Sequence, residues 1–152
     1  MKAKDKYHFL LMLSFIAYIG ILFYFRILAE AYGRTESHAE YRYNLKLFDT
    51  ILLYVKYKNL VGMKAVIINI LGNIAAFMPF GLLVPILRKK PVGAFLILLL
   101  SFDFSMLIEV MQLIFKVGSF DVDDLFLNTI GGLAGFICWK FGQRIAKQKV
   151  DR

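Results

Sequence analysis

The sequence predicts an all-α fold: an integral membrane bundle of four transmembrane helices, with an interfacial helix in the long loop after the first span. Three observations lead there. Hydrophobic residues make up 59% of the 152 positions, and the mean hydropathy is +0.63. An ordinary soluble domain is about 45–50% apolar, so this chain carries more apolar surface than a soluble core of its size can hide. Four segments approach the roughly 20 apolar residues that a helix needs to cross the hydrocarbon core. Finally, the charged residues gather at the chain ends and in the connections between those segments.

The first span, Phe9–Leu28, follows the basic start MKAKDKYH. Ala29–Ala31 has the small-x-small form of a signal-peptide cleavage site. The apolar stretch outruns the roughly 7–15 residues of a signal core, however, and Arg26 and Tyr32 suit cleavage poorly, so a retained anchor is expected. The second span, Ala65–Leu87, contains Gly72 as a packing position, and Pro79 with Gly81 predict a kink, since proline removes a backbone donor. The third runs from Val92 to Phe115. The fourth, Leu125–Phe141, carries Gly131, Gly132 and Gly135 as a face on which a neighbouring helix can approach closely. Trp139 fits an aromatic belt at the span end.

The connections around Arg88–Pro91 and Lys116–Asp123 are short, which makes the helices they join antiparallel neighbours. Glu30–Lys64 is longer. Within it, Leu45, Phe48, Leu52 and Val55 of NLKLFDTILLYVK (Asn44–Lys56) fall at helical spacing, suiting a helix in the membrane interface or one packed over the bundle. No repeat interrupts the chain, so residues 1–152 read as a single membrane domain.

The formal charge of +8 follows topology rather than a nucleic-acid partner. Lys2, Lys4 and Lys6, then Arg88–Lys90, then Lys140, Arg144, Lys147, Lys149 and Arg152 share one side of a four-span bundle. Cytoplasmic loops collect such residues, so both termini are expected in the cytoplasm. Arg34, Arg42, Lys46, Lys56, Lys58 and Lys64 in the first loop oppose that orientation. Cys138 is the single cysteine, which excludes an internal disulfide, and two histidines, His8 and His38, do not make a His-rich metal centre. No cofactor or metal is expected.

Polar residues recur at one depth. Asn69 and Asn73 share a face of the second span, as do Glu109 and Gln112 of the third. Asp121, Asp124 and Asn128 follow an i, i+3, i+7 pattern into the fourth. At 1.5 Å per residue, Glu109 lies about 10 Å from the end of its span near Phe115. An ionised carboxylate inside a span costs about 2.5–3.5 kcal/mol on insertion scales. Glu109 must therefore face the bundle or a wet cavity, with Gln112, Asn73 and Asn128 as expected donors. Asn73, Glu109, Gln112, Asp121, Asp124 and Asn128 together read as an outward polar pocket for a headgroup, a cation or a polar ligand. The alternative is that they only join helices. Asp103 falls on another face, where Ser101 and Ser105 are its expected partners. Ser119 or Asp121 is placed to cap the fourth helix, with Asp123 and Asp124 in its positive first turn.

Four stretches carry a resemblance: NLKLF (Asn44–Phe48), GNIAAFMPFGLL (Gly72–Leu83), SMLIEVMQ (Ser105–Gln112) and FDVDDLFLNTIGGLAGF (Phe120–Phe136). Their order and spacing resemble the VanZ-like family of small bacterial membrane proteins. Two departures stand out. Leu47 occupies a usual proline position, and Gly118 and Ser119 stand where many members carry a basic residue. The resemblance implies a bacterial cytoplasmic membrane and low-level resistance to teicoplanin-type glycopeptides, without change to the peptidoglycan precursor. The reading expected for the polar pocket has membrane lipids as partners and an envelope lipid headgroup or the glycopeptide antibiotic as ligand. An intramembrane enzyme acting on a lipid-linked substrate, with Glu109 and Asp121 or Asp124 as acid, base or Mg²⁺/Ca²⁺ ligands, is the rival reading. A non-catalytic scaffold is the third.

Overall fold

The computed structural model describes residues 3–29, 41–88 and 90–150. Ala31 and Tyr32, which bear on signal cleavage, and His38 lie outside them. Each long apolar run closes its backbone hydrogen bonds internally as a helix, the form that lipid permits. Helix α1 (Ala3–Phe23) passes into a π-helical turn, Tyr24–Ala29. A two-residue strand β1 (Tyr43–Asn44), a short helix α2 (Asp49–Lys56) and a single turn α3 (Lys58–Val61) lead to α4 (Met63–Leu87). Helix α5 (Ala94–Phe115), strand β2 (Phe120–Asp121) and the 29-residue α6 (Val122–Val150) complete the chain.

Among the described residues, four helical stretches are long and apolar enough to cross a membrane: Asp5–Ile27, Met63–Leu87, Ala94–Phe115 and Val122–Lys149. Their surfaces suit that setting, with Ile16, Ile68, Phe95, Leu107 and Ile114 all exposed. Helix α6 begins before the expected Leu125 because Asp121 caps it: the Asp123 N–H donates to Asp121 Oδ1 at 2.9 Å. It also continues past Phe141, where Arg144, Lys147 and Lys149 complement the negative end of the helix dipole. Helix α4 stays helical through both Pro79 and Pro85.

The closest pair is α4 with α6. A Cβ on Gly135 would stand 1.9 Å from the Met78 carbonyl oxygen, and one on Gly81 would stand 1.7 Å from that of Gly132. Only glycine permits this backbone approach. Gly72 is different from what its sequence context suggests: a Cβ there would meet only Ile68, at 4.0 Å, so no helix packs on it.

Towards the terminal end of the bundle, Phe80, Val84, Val92, Ile97 and Phe136 are buried together, with Phe15, Tyr18 and Trp139 against them. The Phe80 and Phe104 rings stack at 5.2 Å. Trp139 packs on Phe136 with ring centroids 5.4 Å apart and is part of this cluster.

At the other end, here the loop end, β1 and β2 pair in parallel, Tyr43 opposite Phe120 and Asn44 opposite Asp121. The expected interfacial helix is shorter than its apolar spacing implies. Phe48 adopts a left-handed conformation (φ 68°), so the helix starts at Asp49 and Leu45 lies outside it. Leu52, Leu53 and Val55 remain exposed. The segment is thus tied to the bundle at its start, with an apolar surface left open along its length.

Candidate functional site

Arg26 organises the loop end. The π-helical turn carries it at the end of α1, and such turns concentrate at functional sites. Its Nη1 donates to Asn73 Oδ1 at 2.9 Å, and its Nη2 to Glu109 Oε1 at 3.2 Å and Asp124 Oδ2 at 3.0 Å. Its backbone carbonyl accepts from Gln112 Nε2 at 2.8 Å. One residue of α1 thereby gathers side chains from α4, α5 and α6. Glu109 is completely buried, and the Arg26 side chain is 17% exposed.

Each carboxylate oxygen is engaged. Glu109 Oε2 accepts the Asp121 N–H at 3.0 Å, and Asp124 Oδ1 accepts Asn73 Nδ2 at 2.6 Å. Asp121 Oδ2 takes the Thr50 hydroxyl at 2.6 Å, while Oδ1 also receives Asn44 Nδ2 at 3.4 Å. The Asp123 oxygens take the backbone N–H of Phe48 and, at 3.0 Å, that of Ile51. Phe48 has no side-chain oxygen to cap α2, so a carboxylate from α6 does it instead. Every carboxylate oxygen of these four acids accepts from a protein donor.

A guanidinium has five N–H groups, and among the described residues three of those on Arg26 have acceptors. Its Nε is buried and has no hydrogen-bond partner. Arg26 and Asn73 line a groove of about 440 Å³ between α1 and α4. The other walls are almost wholly apolar: Ile21 and Leu22 on α1, Phe25 on the π-helical turn, and Ile68, Ala75 and Pro79 on α4. Ile21, Phe25 and Ile68 are exposed, so the groove opens sideways through the bundle's apolar flank.

Five of the six expected site residues therefore surround Arg26: Asn73, Glu109, Gln112 and Asp124 directly or through its carbonyl, and Asp121 through Glu109. Asn128 does not. It lies one turn deeper along α6, fully buried, and donates to Ser105 Oγ at 2.8 Å. The expected donors to Glu109 are also replaced. Asn73 and Gln112 direct their amides to Asp124 and Arg26, and Glu109 takes Arg26 and a backbone N–H. Ser105 serves Asn128, and Ser101 lies against Gly132 with its hydroxyl unpartnered, while Asp103 is exposed on another face of α5. Asn69, one turn from Asn73, is left with a buried Oδ1 lacking a partner. Among the described residues, no three His, Cys, Asp or Glu side chains are grouped to hold a metal.

A family profile described as VanZ/LLP1 matches residues 15–143. The chain belongs to that family. A relative named Protein VanZ, from Enterococcus faecium, is 33% identical over 89 residues, which covers 55% of this chain and 52% of the relative. The chain thus spans about half the length of that curated relative. No solved structure matches at a significant level.

On this VanZ/LLP1 family chain, the four motif stretches noted in the sequence are neighbours in space. Asn44 of NLKLF touches Thr50 and Asp121, Asn73 of GNIAAF touches Arg26 and Asp124, and Glu109 of SMLIEVMQ touches Arg26 and Asp121. Arg26 lies outside all four and went unassigned by sequence reasoning. Its signal was present: an arginine near the end of an apolar span either snorkels to the interface or finds partners inside the bundle.

Proposed function

We propose that this protein sits in a bacterial cytoplasmic membrane with both termini cytoplasmic, so that the loop end faces outward. There it contributes to protection of the cell envelope against teicoplanin-type glycopeptides by holding a lipid headgroup or polar ligand at the Arg26 centre. The observation that carries this reading is the groove lined by Arg26 and Asn73, together with an Arg26 Nε that is buried without an acceptor. Such donors in an apolar setting favour a ligand that brings oxygen acceptors.

Binding is favoured above intramembrane catalysis. Both oxygens of Glu109 and both of Asp124 are already engaged in fixing Arg26, Asn73 and the Asp121 backbone. Carboxylates held in this way fix the geometry of the centre, whereas a general acid or base must lie within reach of the proton it moves.

The test compares cells carrying the wild type, Glu109→Gln and Asp124→Asn, with membrane level and teicoplanin susceptibility both measured. Each change keeps the side chain's shape and removes one charge beside Arg26. Normal membrane levels with protection reduced to that of cells lacking the protein is the expected result. Full protection in both variants would refute the reading.

A further inference from the structure

The ligand class can be narrowed. Resting on the reading of the Arg26 centre as a binding site, we propose that the groove between α1 and α4 holds an acyl chain of a membrane lipid whose ester carbonyl accepts a hydrogen bond from Arg26.

Shape comes first. The groove's volume of about 440 Å³ lies within the roughly 300–1,000 Å³ of small-molecule sites. Its opening lies on an apolar flank, between exposed Ile21 and Phe25 on one side and exposed Ile68 on the other. A hydrocarbon chain can enter there without leaving the bilayer, whereas a glycopeptide would have to bury polar groups against these walls. Gly72 adds an independent observation. The glycines of α6 are required by the α4 backbone, but a side chain at Gly72 would meet nothing closer than Ile68 at 4.0 Å. Helix packing does not call for glycine at this position; the bare backbone keeps the groove open.

Charge selects the polar end. One guanidinium faces two carboxyls, Glu109 and Asp124, at 3.2 and 3.0 Å. Even with one of them protonated the group has no net positive charge, so a phosphate gains little there and meets a carboxylate as its neighbour. An ester carbonyl brings the acceptor that the Arg26 N–H groups lack and adds no charge. It is also the first acceptor along a lipid above its chain, so apolar walls and a donor at their end match its order of groups.

The experiment measures lipid retention by purified full-length protein in detergent, using native mass spectrometry. The probes are dioleoylphosphatidylcholine, its dialkyl ether analogue without ester carbonyls, and dioleoylphosphatidylglycerol. A hydrogen bond to a charged donor predicts about tenfold weaker retention of the ether analogue, and no preference for the anionic lipid. Gly72→Phe fills the groove and should abolish retention while leaving the thermal midpoint unchanged, which keeps the test independent of the fold. Arg26→Lys should retain the ester and ether lipids equally. Equal retention of ester and ether lipids by the wild type, tighter binding of the anionic lipid, or undiminished retention by Gly72→Phe would each overturn the proposal. The two readings fail separately. Wild type that does not distinguish ester from ether, with protection still lost in Asp124→Asn, removes the lipid assignment alone. Protection intact in Glu109→Gln and Asp124→Asn removes the protective role and leaves lipid capture to be judged by the retention data.

Discussion

Towards the terminal half of the bundle, α4 and α6 meet backbone to backbone, with Gly135 under the Met78 carbonyl and aromatic rings filling the adjoining space. Towards the loop half, the same two helices meet through Asn73 and Asp124, and α1 and α5 join them through Arg26 and Glu109. The contrast is instructive because lipid tails are as apolar as the side chains, so helices associate in a membrane by close packing and polar contacts. The terminal half shows that close packing suffices. The loop half adds charges that cost about 2.5–3.5 kcal/mol each to insert, and buried ion clusters give back little stability compared with well-packed apolar residues. Assembly alone does not call for them, which is the physical argument behind the ligand proposed for that half.

The largest expected effect comes from breaking the charged half. Arg26→Met leaves the buried Glu109 and the part-buried Asp124 without their cation and should lower stability by about 3–5 kcal/mol, seen as a lower unfolding midpoint in detergent. Trp139, the single tryptophan, belongs to the other half, so its native emission should not change. Gly135→Val should do the converse. Its Cβ would stand 1.9 Å from the Met78 oxygen, and overpacking costs about 1–3 kcal/mol, with a shift in Trp139 emission. If Arg26→Met moved that emission as far as Gly135→Val does, the two halves would not be separable. The smallest effect belongs to Asp123→Ala, which removes a helix cap worth about 0.5–2 kcal/mol. It should speed hydrogen exchange at Phe48 and Ile51 and leave exchange in α4–α6 as it was.

The spans were legible because length and hydropathy act within one segment, and lipid demands both. Their ends were less so: α6 starts early because Asp121 caps it, and α2 is short because Phe48 turns left-handed. The site divided along the same line. Helical spacing relates residues on a single helix, so it paired Glu109 with Gln112 and Asp121 with Asp124. It could not say which helix faces which, and so it missed Arg26, which lies 83 positions from Glu109 and 98 from Asp124. Spacing also placed Asn128 on the Asp124 face, which is sound geometry, but one further turn is about 5.4 Å. That step puts it beside Ser105 and beyond the Arg26 centre. Charge balance, read across spans, was the route to Arg26.

Arg26 is the counter-ion for Glu109 and Asp124, and a mutant cycle on unfolding free energy measures that coupling. Arg26→Met, the double variant Glu109→Gln with Asp124→Asn, and all three changes together are compared with the wild type. The triple variant should recover most of the stability lost in Arg26→Met, because no buried charge then stands alone. Energies that simply add, within about 0.5 kcal/mol, would contradict it.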